Sequence, residues 1–420
     1  MEETKIEKLG NYILDIAAGP FGSNLKVECF VPKGFPIIDG ANLKGFKVTD
    51  NVSKFVTEEK ARSLHRSIAK RNDVVVTISG NVGQISYIPE DSAFKEYLVS
   101  QRQFRVTFDT KRVFVPYLIY YFHTLEGQHK ILSFANQTGV PALAQPLKNF
   151  KNIDIVLPSL VEQQRIASVL QSLDDKIEVN RRINDNLEQQ AQALFKSWFV
   201  DFKPFKDGEF VESELGMIPK GWRVMKIEDL SSKLASGGTP KSLNKEYYSG
   251  DIKWFSTKEL KDCFLFDSEK HISEDALNNS SAKMFPEGTI LMAIYAAPTV
   301  GRLGILTIPA TFNQAAVGIV PKENVGGEFI YMSLLSERNN LNNLASGAAQ
   351  QNLNVGIVKN YNLLVPEQLI LDEFNRMAKV FFNLLKKNAK ESRRLAELRD
   401  TLLPRLMSGE LKVNEVVNSL

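Results

Sequence analysis

The sequence predicts an α+β molecule: two similar globular α/β domains separated by two long coiled-coil helices, expected to run antiparallel, in a pseudo-twofold internal repeat. Three observations predict this class. Short motifs recur in order at a slowly drifting offset. Two long stretches carry an unbroken heptad spacing. The segments between them alternate short apolar runs with turn residues. With 420 residues the chain is also long for one core.

The repeat sets the frame. Lys5-Ile6-Glu7-Lys8-Leu9 recurs as Lys226-Ile227-Glu228-Asp229-Leu230, an offset of 221. Pro20 and Asn24 fall on Pro240 and Asn244, an offset of 220. Val82-Gly83 fall on Val300-Gly301 at 218, and Leu157-Pro158 on Val365-Pro366 at 208. The offset shrinks as loops shorten, and the order never reverses. The boundaries follow: a first domain over residues 1–157, a helix over 158–203, a second domain over 204–365, a helix over 366–410, and a tail over 411–420.

Within each domain one buried strand stands out, Asp73-Val74-Val75-Val76-Thr77-Ile78 in the first and Thr289-Ile290-Leu291-Met292-Ala293-Ile294 in the second. After Pro158, Ser159 and Glu162 form a helix-starting capping pattern. The heptad then runs Ile166, Leu170, Leu173, Ile177, Asn180, Asn184, Leu187, Ala191, Leu194, Trp198. The second runs Phe374, Ala378, Phe381, Leu385, Asn388, Ser392, Leu395, Arg399, Leu402, Leu406. Polar residues occupy the middle of both. If the helices are antiparallel, Asn180 and Asn184 meet Asn388 and Ser392 and set the register; the alternatives are polar residues facing solvent or a partner helix. Pro404 is expected to kink or end the second helix, and Ser408-Gly409 to stop it.

Composition narrows the function classes. Net charge is +3, from 52 Lys+Arg against 49 Asp+Glu, which permits nucleic-acid binding without arguing for it. Cys29 and Cys263 are too far apart for a CxxC metal site, and the four histidines show no ligand spacing. No metal is expected. The N-terminus is not a signal peptide, and no apolar run approaches the ~20 residues of a membrane helix. A cytoplasmic protein is expected. No phosphate-binding GxxxxGK[ST] loop or GxSxG elbow is present. Asp251 with Glu259-Leu260-Lys261 loosely resembles a nuclease triad, but its repeat partner Asn42-Leu43-Lys44 lacks the carboxylate.

Leu14–Asn24, "LDIAAGPFGSN", could be a methyltransferase cofactor loop headed by Asp15. The chain has no (Asn/Asp/Ser)-Pro-Pro-aromatic segment to hold a target amino group. The loop's repeat partner "LASGGTPKSLN" keeps glycines, proline and asparagine but not the acid. A loop with small residues and exposed N–H groups suits a DNA phosphate in both domains, and Asp15 is then expected to be dispensable.

Four stretches carry a family resemblance: "ELGMIPKGWRVMKIEDL" (Glu214 to Leu230), "SGGTPKS" (Ser236 to Ser242), "SGAAQQNLN" (Ser346 to Asn354) and "LPSLVEQQRIASVLQSLDDKIEVNRRIN" (Leu157 to Asn184). With them the chain resembles the specificity subunit of type I restriction-modification systems over essentially its whole length. There are departures. "QTGVPALAQ" (Gln137 to Gln145) stands in the place of "SGAAQQNLN", and Leu371-Asp372 replaces the Glu-Gln pair in the second helix. The Gly-Met-Ile-Pro-Lys-Gly-Trp segment has no counterpart before residue 5.

The resemblance implies a non-catalytic DNA-binding subunit. Each domain would be a target-recognition domain for one half of a bipartite double-stranded DNA site. The helices would set the gap and dock two methyltransferase subunits, with restriction subunits completing the nuclease complex. No cofactor would be bound by this chain. S-adenosylmethionine would sit on the methyltransferase subunits, and ATP and Mg on the restriction subunits. A single-chain methyltransferase or nuclease, and a two-headed scaffold that binds no DNA, are the alternatives.

DNA contact is expected from Gly19, Pro20, Gly22, Ser23 and Asn24, and from Gly238, Thr239, Pro240 and Lys241. Lys44, Lys258 and Lys261 are candidates for phosphate. Gln101, Arg102, Asn313 and Gln314 carry the planar or forked groups that pair with base edges. Trp198, Phe199, Phe381 and Phe382 are candidates for the partner interface, with packing inside the helix pair as the alternative.

Overall fold

The computed structural model describes residues 6–136, 140–295, 298–345 and 352–417. Most of the Ser346–Asn354 motif and the start of Gln137–Gln145 lie outside the described residues. The chain divides into two compact units, one of residues 1–176 with 395–420 and one of residues 177–394. The division cuts through both long helices, which span Leu160–Phe199 and Gln368–Met407.

In the first unit a four-stranded antiparallel sheet has the order Ile13–Ala18, Gln103–Phe108, Val74–Thr77, Ile85–Tyr87. The valine run occupies an inner strand, and alternation sends its side chains to two cores. Val74 and Val76 pack with Phe104, Leu118, Phe122 and Phe150; Val75 packs with Ile38, Tyr97 and Val99. A second, mixed sheet runs Phe30–Val31, Phe55–Val56, Phe35–Ile38, Glu96–Val99, Ile68–Lys70. Two helices, Val115–Phe122 and Leu125–Leu132, cover the first core.

The second unit repeats the plan. Its main sheet runs Ser231–Ser236, Ala316–Pro321, Ile290–Ala293, Leu303–Leu306, and adds Cys263–Leu265 in parallel at the edge. A three-stranded sheet holds Lys270–Ile272, Ile252–Phe255 and Thr311–Phe312. The helices Gly327–Ser336 and Arg338–Asn343 take the place of the first unit's pair. A short strand near the start of each unit also has the same setting, although the Lys-Ile-Glu motif lies three residues later against it in the second. Glu7–Lys8 pairs with Asp154–Ile155, and Arg223–Lys226 with Asn362–Val365.

All twenty heptad positions are buried or half-buried. In the second unit the helices run antiparallel, since Asn180 contacts Glu391, Asn184 contacts Leu385 and Asn388, and Phe195 packs on Phe374. In the first unit Arg399 of the second helix pairs with Asp174 of the first at 2.6 Å. Ile166, Leu170, Leu173, Leu402, Leu403 and Leu406 form one core there with Tyr117 and Tyr120.

Caps mark the helix ends. Ser159 Oγ accepts from Glu162 N at 3.3 Å. Pro404 does not end the second helix, which runs on to Met407. Proline there removes a single backbone bond three residues from the end, a small loss so close to the terminus. The stop comes at Gly409, whose φ of +74° is the left-handed conformation that glycine adopts freely. No helix among the described residues is long and apolar enough to cross a membrane.

Candidate nucleic-acid interface

Three segments converge at one edge of each domain. In the first unit the strand Ile13–Ala18 runs out into the Gly19–Asn24 loop. Gly19 N donates to Gln103 O at 2.8 Å, which lays this loop along the Ser100–Gln103 turn. The turn closes through Gln103 N to Ser100 O, 3.0 Å, and is tied to the end of a third strand by Ser100 N to Ile38 O, 2.9 Å. That strand leads into the short helix Gly40–Asn42 and on to Lys44.

The second unit builds the same junction. Gly237 N donates to Ala316 O at 3.2 Å, Ala316 N to Asn313 O at 3.2 Å, and Asn313 N to Phe255 O at 2.9 Å; Gly238 N adds a bond to Phe312 O at 2.9 Å. Phe255 leads into the short helix Thr257–Glu259, which carries Lys258, and on to Lys261. The matching turns put Gln101 and Gln314 at the same place. Arg102 therefore corresponds to Ala315, and Asn313 to Ser100.

The glycines approach protein backbone. A Cβ on Gly19 would lie 1.9 Å from Ser100 O, and one on Gly238 would lie 2.0 Å from Ser281 O. Gly238 O also accepts from Trp254 Nε1 at 2.9 Å. The expectation that these glycines exist for close approach to phosphate is corrected. They let two segments of the domain itself touch, and a side chain would separate them. Gly22 faces only the flexible tip of Gln101, with a Cβ 2.8 Å from Oε1. Thr239 Oγ1 is bonded to Gln314 Oε1, and Pro240 O accepts from Tyr248 Oη at 2.8 Å. Pro20 and Pro240 are buried, whereas Ser23 and Asn24 are exposed.

Polar and cationic side chains face outward here. Gln101, Arg102, Lys44, Lys241, Lys258 and Lys261 are exposed, and their side chains have no hydrogen-bonding or ionic partner among the described residues. Asn313 is half-buried, and its Oδ1 is buried with no partner. Beneath Gln101 and Arg102 lies a polar chain that the sequence did not signal. Gln103 is 2% exposed; its side chain meets Ser100 Oγ and donates to Thr77 Oγ1 at 3.5 Å. Thr77 in turn donates to Gln84 Oε1 at 3.3 Å.

The loose nuclease pattern dissolves in this geometry. The Glu259 carboxylate accepts from Ser256 N at 2.7 Å, Ser256 Oγ at 2.8 Å and Glu269 N at 2.9 Å. Its counterpart Asn42 likewise reaches back to Asp39 N, at 3.1 Å. Acid and amide do the same work at the third position of a capping box, so the swap between copies has no catalytic meaning. Asp15 also has a structural partner. It pairs with Arg105 at 2.6 Å, and that hydrogen bond holds its carboxyl below the ordinary value.

The aromatic residues proposed for a partner interface turn inward. Phe199 and Phe382 are buried in the second unit's core, and Trp198 and Phe381 pack half-buried against it. Each has apolar neighbours that account for it, so none is retained as a partner contact. The polar positions of the heptad form a short network. Asn388 Nδ2 donates to Asn184 Oδ1 at 2.9 Å, Asn184 Nδ2 to Leu385 O at 3.2 Å, and Asn180 Nδ2 to a Glu391 carboxylate oxygen at 2.8 Å. Ser392 is half-buried beside them in sequence.

Two repeated α/β domains, each with an outward cationic edge and joined by paired heptad helices, define a two-headed binding protein. Comparison with known proteins gives the class a family. The type I restriction modification DNA specificity domain matches residues 30–189 and 219–400. The chain belongs to this family, and its function is that of a DNA sequence-specificity subunit. It is similar to the MjaIX specificity subunit of Methanocaldococcus jannaschii, with 29% identity over 366 residues, 86% of this chain and 82% of that one. It is also similar to the HindI specificity subunit of Haemophilus influenzae, with 28% identity over 393 residues, 78% of this chain and 84% of that one. A type I S subunit from M. genitalium shares the fold, at a TM-score of 0.58 and 16% identity, covering 97% of both chains.

Proposed function

We propose that each domain presents its convergent edge to one half of a bipartite duplex DNA site. Gln101 and Arg102 read base edges in one half, and Gln314 and Asn313 in the other. Lys44, Lys241, Lys258 and Lys261, with the exposed Ser23 and Asn24 and the backbone around Pro20 and Thr239, hold phosphates. The Asn180, Asn184, Asn388 and Ser392 cluster sets the register of the paired helices. Outward faces of those helices dock two methyltransferase subunits, which bring S-adenosylmethionine. Restriction subunits bring ATP and Mg. The chain itself is a non-catalytic cytoplasmic subunit with no metal of its own.

One observation carries this reading. The same three segments converge in both domains, and among the described residues they leave cations without a protein partner in both, with the Gln101 amide beside them in the first, the chemistry of phosphates and base edges. Methylome sequencing of cells with wild-type chain, Gln101→Ala/Arg102→Ala and Gln314→Ala tests it. The expected result is a relaxed motif in one half-site for the first variant and in the other half-site for the second. A change in both halves from either variant would refute the assignment. Methyl transfer by the chain alone would refute the non-catalytic role.

A further inference from the structure

Two large apolar side chains stand in solvent on corresponding loops, at different positions within them. Phe21 is 83% exposed and Leu243 is 96% exposed. Each lies between the proline and the asparagine that the two copies share, Pro20 and Asn24 in one and Pro240 and Asn244 in the other. The same kind of turn carries both, with Phe21 as its first residue in one copy and Leu243 as its third in the other. Asn24 N donates to Phe21 O at 2.8 Å, and Asn244 N to Lys241 O at 3.1 Å.

The turns rest on fixed ground. Pro20 and Pro240 are buried, Gly19 lies against the Ser100 carbonyl, and Tyr248 Oη holds Pro240 O at 2.8 Å. The flanks carry one sign of charge. Between Gly19 and Val27 the only charged side chain is Lys26, and between Gly237 and Lys245 the only ones are Lys241 and Lys245. Each turn also adjoins a glutamine of the polar edge, Gln101 beside Gly22 and Gln314 bonded to Thr239.

An apolar tip held by a rigid base gains by leaving water, and neither tip has a place to do so in its own domain. Duplex DNA offers one between stacked bases, where an apolar side chain can enter, unstack the step and kink the helix while nearby cations hold the phosphates. We infer that Phe21 and Leu243 are wedges, each entering one base step of its own half-site. Their contribution to specificity comes from how easily that step unstacks, a property of sequence that needs no hydrogen bond. The inference rests on the DNA-facing reading above. A protein partner would account for apolar tips alone, but not for their repeated pairing with cations and base-reading amides.

The test uses the full chain assembled with its methyltransferase subunits. Duplexes carry 2-aminopurine at one half-site position at a time, omitting the adenine that accepts the methyl group. Wild type should raise the fluorescence at one step in each half-site. Phe21→Ala should abolish the rise in one half only, Leu243→Ala in the other only, and Phe21→Leu should keep it. Footprints over both half-sites should persist in every variant.

The inference is overturned if wild type shows no rise, or if the rises survive both alanine variants. It is also overturned if either variant weakens assembly with the methyltransferase in the absence of DNA, which would make these side chains a protein contact. A wild-type complex that protects no half-site defeats the DNA-facing reading itself, and the footprint separates that failure from the others.

Discussion

Asp15 in the first copy has become Lys233 in the second, as the strand registers place both opposite the same neighbouring strand. The partner changed with it. Arg105, 8% exposed, donates to Asp15 and to Arg66 O, while Gly318 occupies its place in the second copy. There the Phe285 and Phe312 rings, with centroids 4.8 Å apart, fill the space, and Lys233 Nζ sits 4.0 Å over Phe285. A charge pair has been exchanged for an aromatic pair under a cation. Asp15 therefore supports its own domain, and its absence from the twin reflects repacking. The glycines make the same point in a testable form. Gly238→Ala forces a methyl group onto the Ser281 carbonyl and should cost about 1–3 kcal/mol or more of stability, the scale of overpacking. Thermal melting of the variant should show a clear drop, whereas Gln101→Ala should melt like wild type. An unchanged melting temperature for Gly238→Ala would mean that the loop can swing clear, and that its glycine serves something outside the domain.

Elements were legible where their signals are local or periodic. The repeat keeps its order, the heptad its spacing, and the Ser159 cap and Gly409 stop are short local signals; each is present in the structure. Long-range polar contacts carry no such spacing. Gln163 is 1% exposed and bonds Phe114 N, Arg112 O and Pro158 O, fixing the start of the first helix on its domain. The second helix lacks that glutamine, and Asn375 performs the corresponding task on Val325 O and Phe329 N from a different position. Neither pairing could be read from a single chain.

The Asp267 clasp was equally hidden, because it joins residues 126 positions apart. Lys253 at 2.5 Å, Arg393 of the second helix at 2.7 Å and His271 at 3.2 Å surround its carboxylate. Burial pushes the Asp267 carboxyl up, but those hydrogen bonds outweigh it and hold it well below its ordinary 3.8. A depressed carboxyl stabilises the fold above its unfolded value, and this contribution is lost as the pH falls through the folded value. Asp267→Asn should therefore melt below wild type at neutral pH, and the difference should shrink as the pH falls below about 4. A difference that held constant across that range would show that the carboxylate's charge is not what holds helix and loop together.

At the scale of the whole molecule, the compact units divide at Lys176 and Ile177 on the first helix and at Arg394 and Leu395 on the second. Each recognition domain therefore packs with its own share of both helices. Residues inserted at these two junctions leave each unit's internal contacts in place. Equal insertions in both helices also preserve pairing, since seven residues restore the facing stripe. If the paired helices set the gap between half-sites, one heptad adds about 10 Å, or roughly three base pairs at ~3.4 Å each. Distance is only half of the requirement, because three base pairs also turn the second half-site by roughly 100° about the duplex axis. One heptad in each helix should thus give weak methylation at a gap lengthened by about three pairs. Three heptads add about 31 Å, close to the ~34 Å of a full DNA turn, and restore both distance and phase. That variant should methylate strongly at a gap longer by roughly nine to ten pairs, with both half-site sequences unchanged. Methylome sequencing reads gap and half-sites together. An unmoved gap would remove the helices from the measurement of spacing, and altered half-sites would show that the domains do not read DNA independently of them.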